Sequence, residues 1–259
     1  MKLPHSTILS TVEASFVSDG LLRSSRYAFG PNKLHYCGPD QNRELGAYLE
    51  ENASDQGLRH ILSGFETMYP YLCLIASANR ISDPLDDHVV EAYWIGNELL
   101  EAARGRLLYR HLDENLGVKK KIGRASFEAV EAKIEAGALP HHSFHVFSVW
   151  KRTGHEEREH TLKSLDACRI SVGKVISLDG PKITVQTDQL TIIQGKIVPV
   201  PTVKTVFRQL ESLPDIENLK PGDLLTLHWD TPCEVIQKTS ARRLNYLNSY
   251  HLNLLNATV

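Results

Sequence analysis

Near residue 140 the spacing of apolar residues changes from three and four to two, which restricts the chain to an α+β organisation with its helices first. From Asp40 to Gly137 the helical period dominates. The segment SDPLDDHVVEAYWIGNELLEAARGRLLYRHL opens with Asp83 placed to cap, Pro84 at the first helical position, and Asp86 and Asp87 near the positive end of the dipole. Leu85, Val89, Ala92, Gly96, Leu99 and Ala103 then mark one apolar face. ELGAYLEE and GLRHILSGFETMYPYLCLIASA read as two more helices, broken at Pro70, and RASFEAVEAKIEAGALP as a short one ended by Gly137 and Pro140. After Pro140, the runs HSFHVFSVWK, CRISVGKVISL, KITVQTD, TIIQGKIVPVP and DLLTLHWDTPCEVIQ alternate and are rich in Val, Ile and Thr, with turn pairs at Asp179-Gly180 and Pro221-Gly222. The expected architecture is a helical domain over 1–140, a junction over 141–165 with RTGHEEREHTL as linker, and a small OB-like β-barrel over 166–259. The barrel domain closes with a helix that places Leu244, Leu247, Tyr250 and Leu254 on one side.

Charge and cysteine usage narrow the function classes. Lys plus Arg number 29 against 31 Asp plus Glu, and the only dense basic run is Lys119 to Lys121, so neither nucleic acid nor an anionic membrane is the expected partner. No apolar stretch approaches the roughly 20 residues of a membrane-spanning helix, and MKLPHSTILSTVEASFVSDG lacks a sustained apolar segment; the expected location is the cytoplasm. Cys37, Cys73, Cys168 and Cys233 are too widely spaced for a CxxC knuckle. Cys73, in YPYLCLIA, reads as a buried small hydrophobe, whereas the other three stand beside polar residues and turns. There is no glycine-rich phosphate loop, nucleophile elbow or H-E-x-x-H.

One ordered set of motifs stands out in the second half. Cys168-Arg-Ile-Ser-Val-Gly173-Lys174-Val175 is followed by the Asp179-Gly180 hairpin, then Leu219-Lys-Pro221-Gly222-Asp223-Leu-Leu-Thr-Leu-His228 and a terminal helix. Over roughly residues 166–257 this order resembles the small HypC-type hydrogenase maturation chaperones. The resemblance implies that Cys168 and His228 hold iron destined for a nickel-iron active site. It also implies hydrogenase maturation proteins, or a hydrogenase large-subunit precursor, as partners. Two positions depart from the family: its cysteine stands at the mature N-terminus whereas Cys168 is internal, and its proline is Val172 here.

Residue chemistry supplies further candidates and their plain alternatives. Thiolate and imidazole suit iron, zinc or copper; Cys168 equally suits a small residue at the start of a strand, and His228, between Leu227 and Trp229, a satisfied core histidine. His141, His142 and His145 lie in LPHHSFHVF, with His155 and His160 following. A helix would put His141 and His145 on one face, while the strand that fits the Phe and Val alternation separates His142 from His145. The loop AFGPNKLHYCGPDQ holds His35, Tyr36, Cys37 and Asp40 between Gly30-Pro31 and Gly38-Pro39; if extended, His35 and Cys37 share a side as a two-ligand clip. Asp87, Glu91 and Glu98, with Trp94 at helical spacing, offer carboxylate ligands or a general base, or simply a solvated helix face. Two functions fit. One is an accessory protein for metal-centre assembly acting through Cys168 and His228; the other is a metal-dependent enzyme whose pocket is formed by His142, His145, Cys37 and Cys168.

Overall fold

The structure is a computed structural model and describes residues 19–149, 161–208 and 214–257. Its first part is helical: α1 (Gly20–Lys33), α2 (Asn42–Glu50), α3 (Gln56–Ser63), α4 (Met68–Ala78), α5 (Asp87–Trp94), α6 (Leu99–Ala102), α7 (Arg106–Arg110), α8 (Val118–Ile122) and α9 (Arg124–Glu135). The long helix expected from Asp83 is divided into α5, α6 and α7. Gly96 and Gly105 take φ of +97° and +62°, which leave the helical region, and apolar periodicity does not register such a departure. The cap is Asp86, whose side chain accepts from His88 N–H, while Asp83 accepts from Leu85 N–H and pairs with Arg59 at 2.7 Å. Pro70 does not break a helix; it lies in the first turn of α4, where no N–H is needed.

The segment expected as the first strand, HSFHVFSV, is helical instead. It forms a short helix α10 (His142–Phe144) that runs into a π-helical turn, His145–Val149. All eight residues are buried, so the apolar pattern has no wet face from which to choose between period two and period 3.6. His155 and His160, with all of RTGHEEREHTL but its last two residues, lie outside the described residues. Thr161 then caps α11 (Leu162–Cys168) in a reciprocal pair with Ser164, so Cys168 ends a helix and does not open a strand.

Five strands follow: β1 (Ser171–Asp179), β2 (Lys182–Ile193), β3 (Lys196–Phe207), β4 (Leu224–His228) and β5 (Thr231–Val235), with α12 (Pro214–Glu217) before β4 and α13 (Lys238–Asn256) after β5. They pair antiparallel in the order β3-β2-β1-β4-β5. The sheet is open: β3 and β5 are its edges and do not pair with each other, so the strands do not close into the expected barrel. Thr191 to Ile193 join KITVQTD in one long β2, and the hairpin to β3 turns at Gln194-Gly195, both at positive φ. DLLTLHWDTPCEVIQ folds back on itself at Trp229-Asp230, where φ is +52° and +58° without a glycine at either position.

One apolar core runs through both parts, from Tyr27 and Leu45 in the helices to Val185, Leu225 and Leu247 beside the sheet. Its polar seam is Arg23, which donates to both carboxylate oxygens of Glu234 on β5 at 3.1 Å and to Asp87 Oδ2 at 3.1 Å, with Glu91 3.6 Å away. Tyr27 adds a hydrogen bond to Glu234 at 2.7 Å. With these partners the guanidinium stays fully charged despite its burial. Among the described residues no helix is long and apolar enough to cross a membrane.

Candidate metal centre

Where α10, the end of α11 and the end of β4 meet, His142, Cys168 and His228 each point one ligand atom inward, all within 4.8 Å of one another. His142 is 6 % exposed and His228 2 %; Cys168 is half-buried and forms the outer side. Trp94 from α5 walls the site, its ring 4.6 Å from that of His142 and 5.6 Å from that of His228, and Tyr27 stacks on its far side at 5.1 Å.

His228 is oriented by a proline one helix away. Pro31 lies in the last turn of α1 and has no N–H, so the Tyr27 carbonyl four residues earlier lacks its helical donor. His228 Nδ1–H takes that place at 2.6 Å. The opposite nitrogen, Nε2, therefore carries the lone pair; it is buried and in this neutral form accepts no hydrogen bond, the nearby Cys168 carbonyl being able to pair with it only when the ring is protonated. Gly30 permits the approach, because a Cβ there would stand 2.8 Å from the His228 carbonyl. Thus Gly30-Pro31 is part of α1 and does not form the expected turn.

His142 is held at both nitrogens: Nε2–H donates to the Cys168 carbonyl at 2.9 Å and Nδ1 accepts from the Tyr93 hydroxyl at 3.2 Å. Were Nε2 to hold a metal, the ring proton would pass to Nδ1 and that N–H would donate to the Tyr93 oxygen. Burial, with His228 beside it, holds His142 well below the usual imidazole range, and burial brings His228 down to about 4, partly offset by the Tyr27 and Cys168 carbonyls. Both rings are neutral at pH 7, the form that binds metal. Two imidazoles and a thiolate suit a borderline ion such as zinc or ferrous iron, and three protein donors leave a coordination position for another ligand.

A chain of hydrogen bonds fixes α10 behind the site. His251 Nε2 accepts from Leu139 N–H at 3.2 Å, so its Nδ1–H donates to Ser143 Oγ at 2.7 Å; the Ser143 hydroxyl in turn donates to His141 Nδ1 at 2.7 Å. Burial lowers His141 to about 3 and His251 well below its ordinary value, so both are neutral. Replacing Ser143 by Ala orphans the buried His251 Nδ1–H, while His141 Nδ1 keeps the Ser143 N–H at 3.1 Å, and should cost about 2 kcal/mol in urea unfolding. A loss below about 1 kcal/mol would show that the chain of bonds carries no weight.

The other sequence candidates lie elsewhere. His145 packs against Tyr71 at 5.6 Å, on the side of His111, and is outside the three-atom group. His35 sits on the surface with Nδ1 3.3 Å from Asp40, outside the three-residue group. Asp87 and Glu91 are partners of Arg23, and Glu98 faces His88 at 3.5 Å. Tyr36 stacks on Trp229 at 4.1 Å, covering the turn after His228. Sequence reasoning missed Tyr27 and Tyr93. The usable signal was Pro31, which marks residue 27 as a free carbonyl.

The model of a family of unknown function, DUF6390, matches residues 16–259. The chain belongs to the DUF6390 family. The match spans the helices and the sheet together, so all three elements that supply His142, Cys168 and His228 lie within the DUF6390 unit. No curated protein and no solved structure matches this DUF6390 chain.

Proposed function

We propose that the protein holds one transition-metal ion between His142, Cys168 and His228 and acts as an accessory protein in metal-centre assembly, related to nickel-iron hydrogenase maturation, with iron as its cargo. The observation that carries this reading is the convergence of ligand atoms from His142, Cys168 and His228 within 4.8 Å, beside a His228 Nε2 that is buried without a hydrogen-bond donor. Cys168 and His228 are the two residues that the resemblance to HypC-type chaperones singles out, and that resemblance, with its OB-like barrel, rests on sequence alone. A three-donor set leaves room on iron for the small ligands such assembly requires, and burial of both imidazoles favours holding a cargo. The partners in this reading are other maturation proteins or a large-subunit precursor, in a cytoplasm that keeps thiols reduced. The same open position supports a second reading, a metal-dependent enzyme that binds its substrate there.

The test is metal analysis of protein purified without oxygen, joined to infrared spectroscopy in the region of metal-bound carbon monoxide and cyanide. About one iron per chain with those bands, both lost in Cys168→Ala, is the expected result. Iron content unchanged by Cys168→Ala, with no such bands, overturns the assembly reading. Substrate turnover that follows metal content would instead establish the enzyme.

A further inference from the structure

We infer that Cys37, on the loop between α1 and α2, is the fourth ligand of this centre and closes it as a set of two imidazoles and two thiolates. The inference rests on the reading that His142, Cys168 and His228 hold the ion.

Three sequence neighbours make the contacts that bring Cys37 to the site. Tyr36 stacks on Trp229 at 4.1 Å, and Trp229 N–H donates to the Ala167 carbonyl at 2.8 Å. Each residue in this ladder adjoins a donor: Tyr36 precedes Cys37, Trp229 follows His228, and Ala167 precedes Cys168. The loop is anchored on both sides of the thiol. Asn32 Nδ2 donates to the Cys37 carbonyl at 2.9 Å and to the Pro39 carbonyl at 2.8 Å, and Gly38, at φ +88°, lies so close to the Phe65 ring that a Cβ would stand 2.3 Å from it.

Cys37 also packs against the core cluster that contains Tyr93, whose hydroxyl is 3.2 Å from His142 Nδ1. The unpartnered His228 Nε2 is the buried group that calls for a ligand at this point.

Cys37 is not among the three atoms within 4.8 Å, so the ion draws the thiolate inward by a side-chain rotation on an anchored loop. The two buried imidazoles then form the floor of the site, and the two half-buried thiols form the side through which an ion passes. A tetrahedral set of two nitrogens and two sulfurs suits zinc or ferrous iron.

Cobalt(II) serves as the probe, titrated without oxygen into the full chain and into Cys37→Ser, Cys168→Ser and the double variant, with circular dichroism to confirm folding. The wild-type complex should show thiolate-to-cobalt charge transfer. Cys37→Ser should lower that band to about half and weaken binding at least about tenfold; Cys168→Ser should do likewise, and the double variant should abolish the band. A Cys37→Ser protein with full charge transfer and wild-type affinity overturns the inference and leaves the three-ligand site standing. A wild-type chain that binds no cobalt, or binds it without charge transfer, overturns both.

Discussion

Lowering the pH from 7 to 5.5 is expected to remove roughly 6 kcal/mol of folding stability from the metal-free chain. Five histidines, His111, His141, His142, His228 and His251, are buried, and burial depresses all of them; His111 and His228 fall to about 4 and His141 to about 3. The unfolded chain takes up protons near pH 6.5, whereas the folded chain does not until its own lower values. Between those limits the unfolded state binds more protons, so stability falls as the pH falls. Each such histidine removes about 1.2 kcal/mol over that interval, and five of them remove a large part of the roughly 5–15 kcal/mol that holds a domain folded. Carboxylates with depressed values, such as Asp83 beside Arg59, begin to lose their contribution only below the acidic edge of this window. Urea midpoints measured at pH 7 and 5.5 should separate widely, and bound metal should reduce the separation because a ligated imidazole resists protonation. Equal midpoints would mean that these imidazoles find partners in acid that the fold does not show.

His228→Asn should weaken metal binding by about a hundredfold or more while leaving the chain folded. Residues that merely orient a metal ligand cost about 10- to 100-fold when changed, so loss of the ligand itself should cost at least as much. Asn is the informative replacement because its side-chain N–H₂ stands near the position of Nδ1–H and preserves the bond to the Tyr27 carbonyl, while the Nε2 lone pair is removed. Alanine would confuse two effects, since it also leaves a cavity and an orphaned carbonyl beneath Trp94. Affinity can be read by competition with a chromophoric chelator and folding by thermal unfolding of the metal-free protein. Retained affinity in a folded His228→Asn chain would remove His228 from the ligand set.

The parts of the site that were legible in the sequence are those written in local order. Cys168 and His228 stand out because a cysteine, a glycine-containing strand, a hairpin and a Pro-Gly turn follow one another at the spacing of one small sheet. His142 was visible as a candidate but not as a member of that pair, because its segment is buried on every side and the apolar pattern favoured a strand. In the helical form His142 reaches the Cys168 carbonyl. The wall of the site was not legible at all. The bond from His228 to Tyr27 joins residues 201 positions apart, and no periodicity encodes such a meeting. The helices were readable from their apolar faces, but their breaks depended on which glycines leave the helical region, as Gly96 does where it packs against Leu247. The strand runs after Cys168 and the turn at Asp179-Gly180 were likewise readable, but the hairpins at Gln194-Gly195 and Trp229-Asp230 lay inside single runs; closure into a barrel depends on whether β3 reaches β5, a long-range relation that alternation within each strand does not specify.

X-ray absorption at the edge of the bound ion tests the three-residue centre most directly. With one equivalent of iron or zinc on the full chain, the expected first shell has imidazole nitrogens at about 2.0–2.1 Å together with sulfur at about 2.3 Å, and the sulfur contribution should fall in Cys168→Ser. A first shell of oxygen alone, or one unchanged by Cys168→Ser and His228→Asn, would contradict ligation by His142, Cys168 and His228.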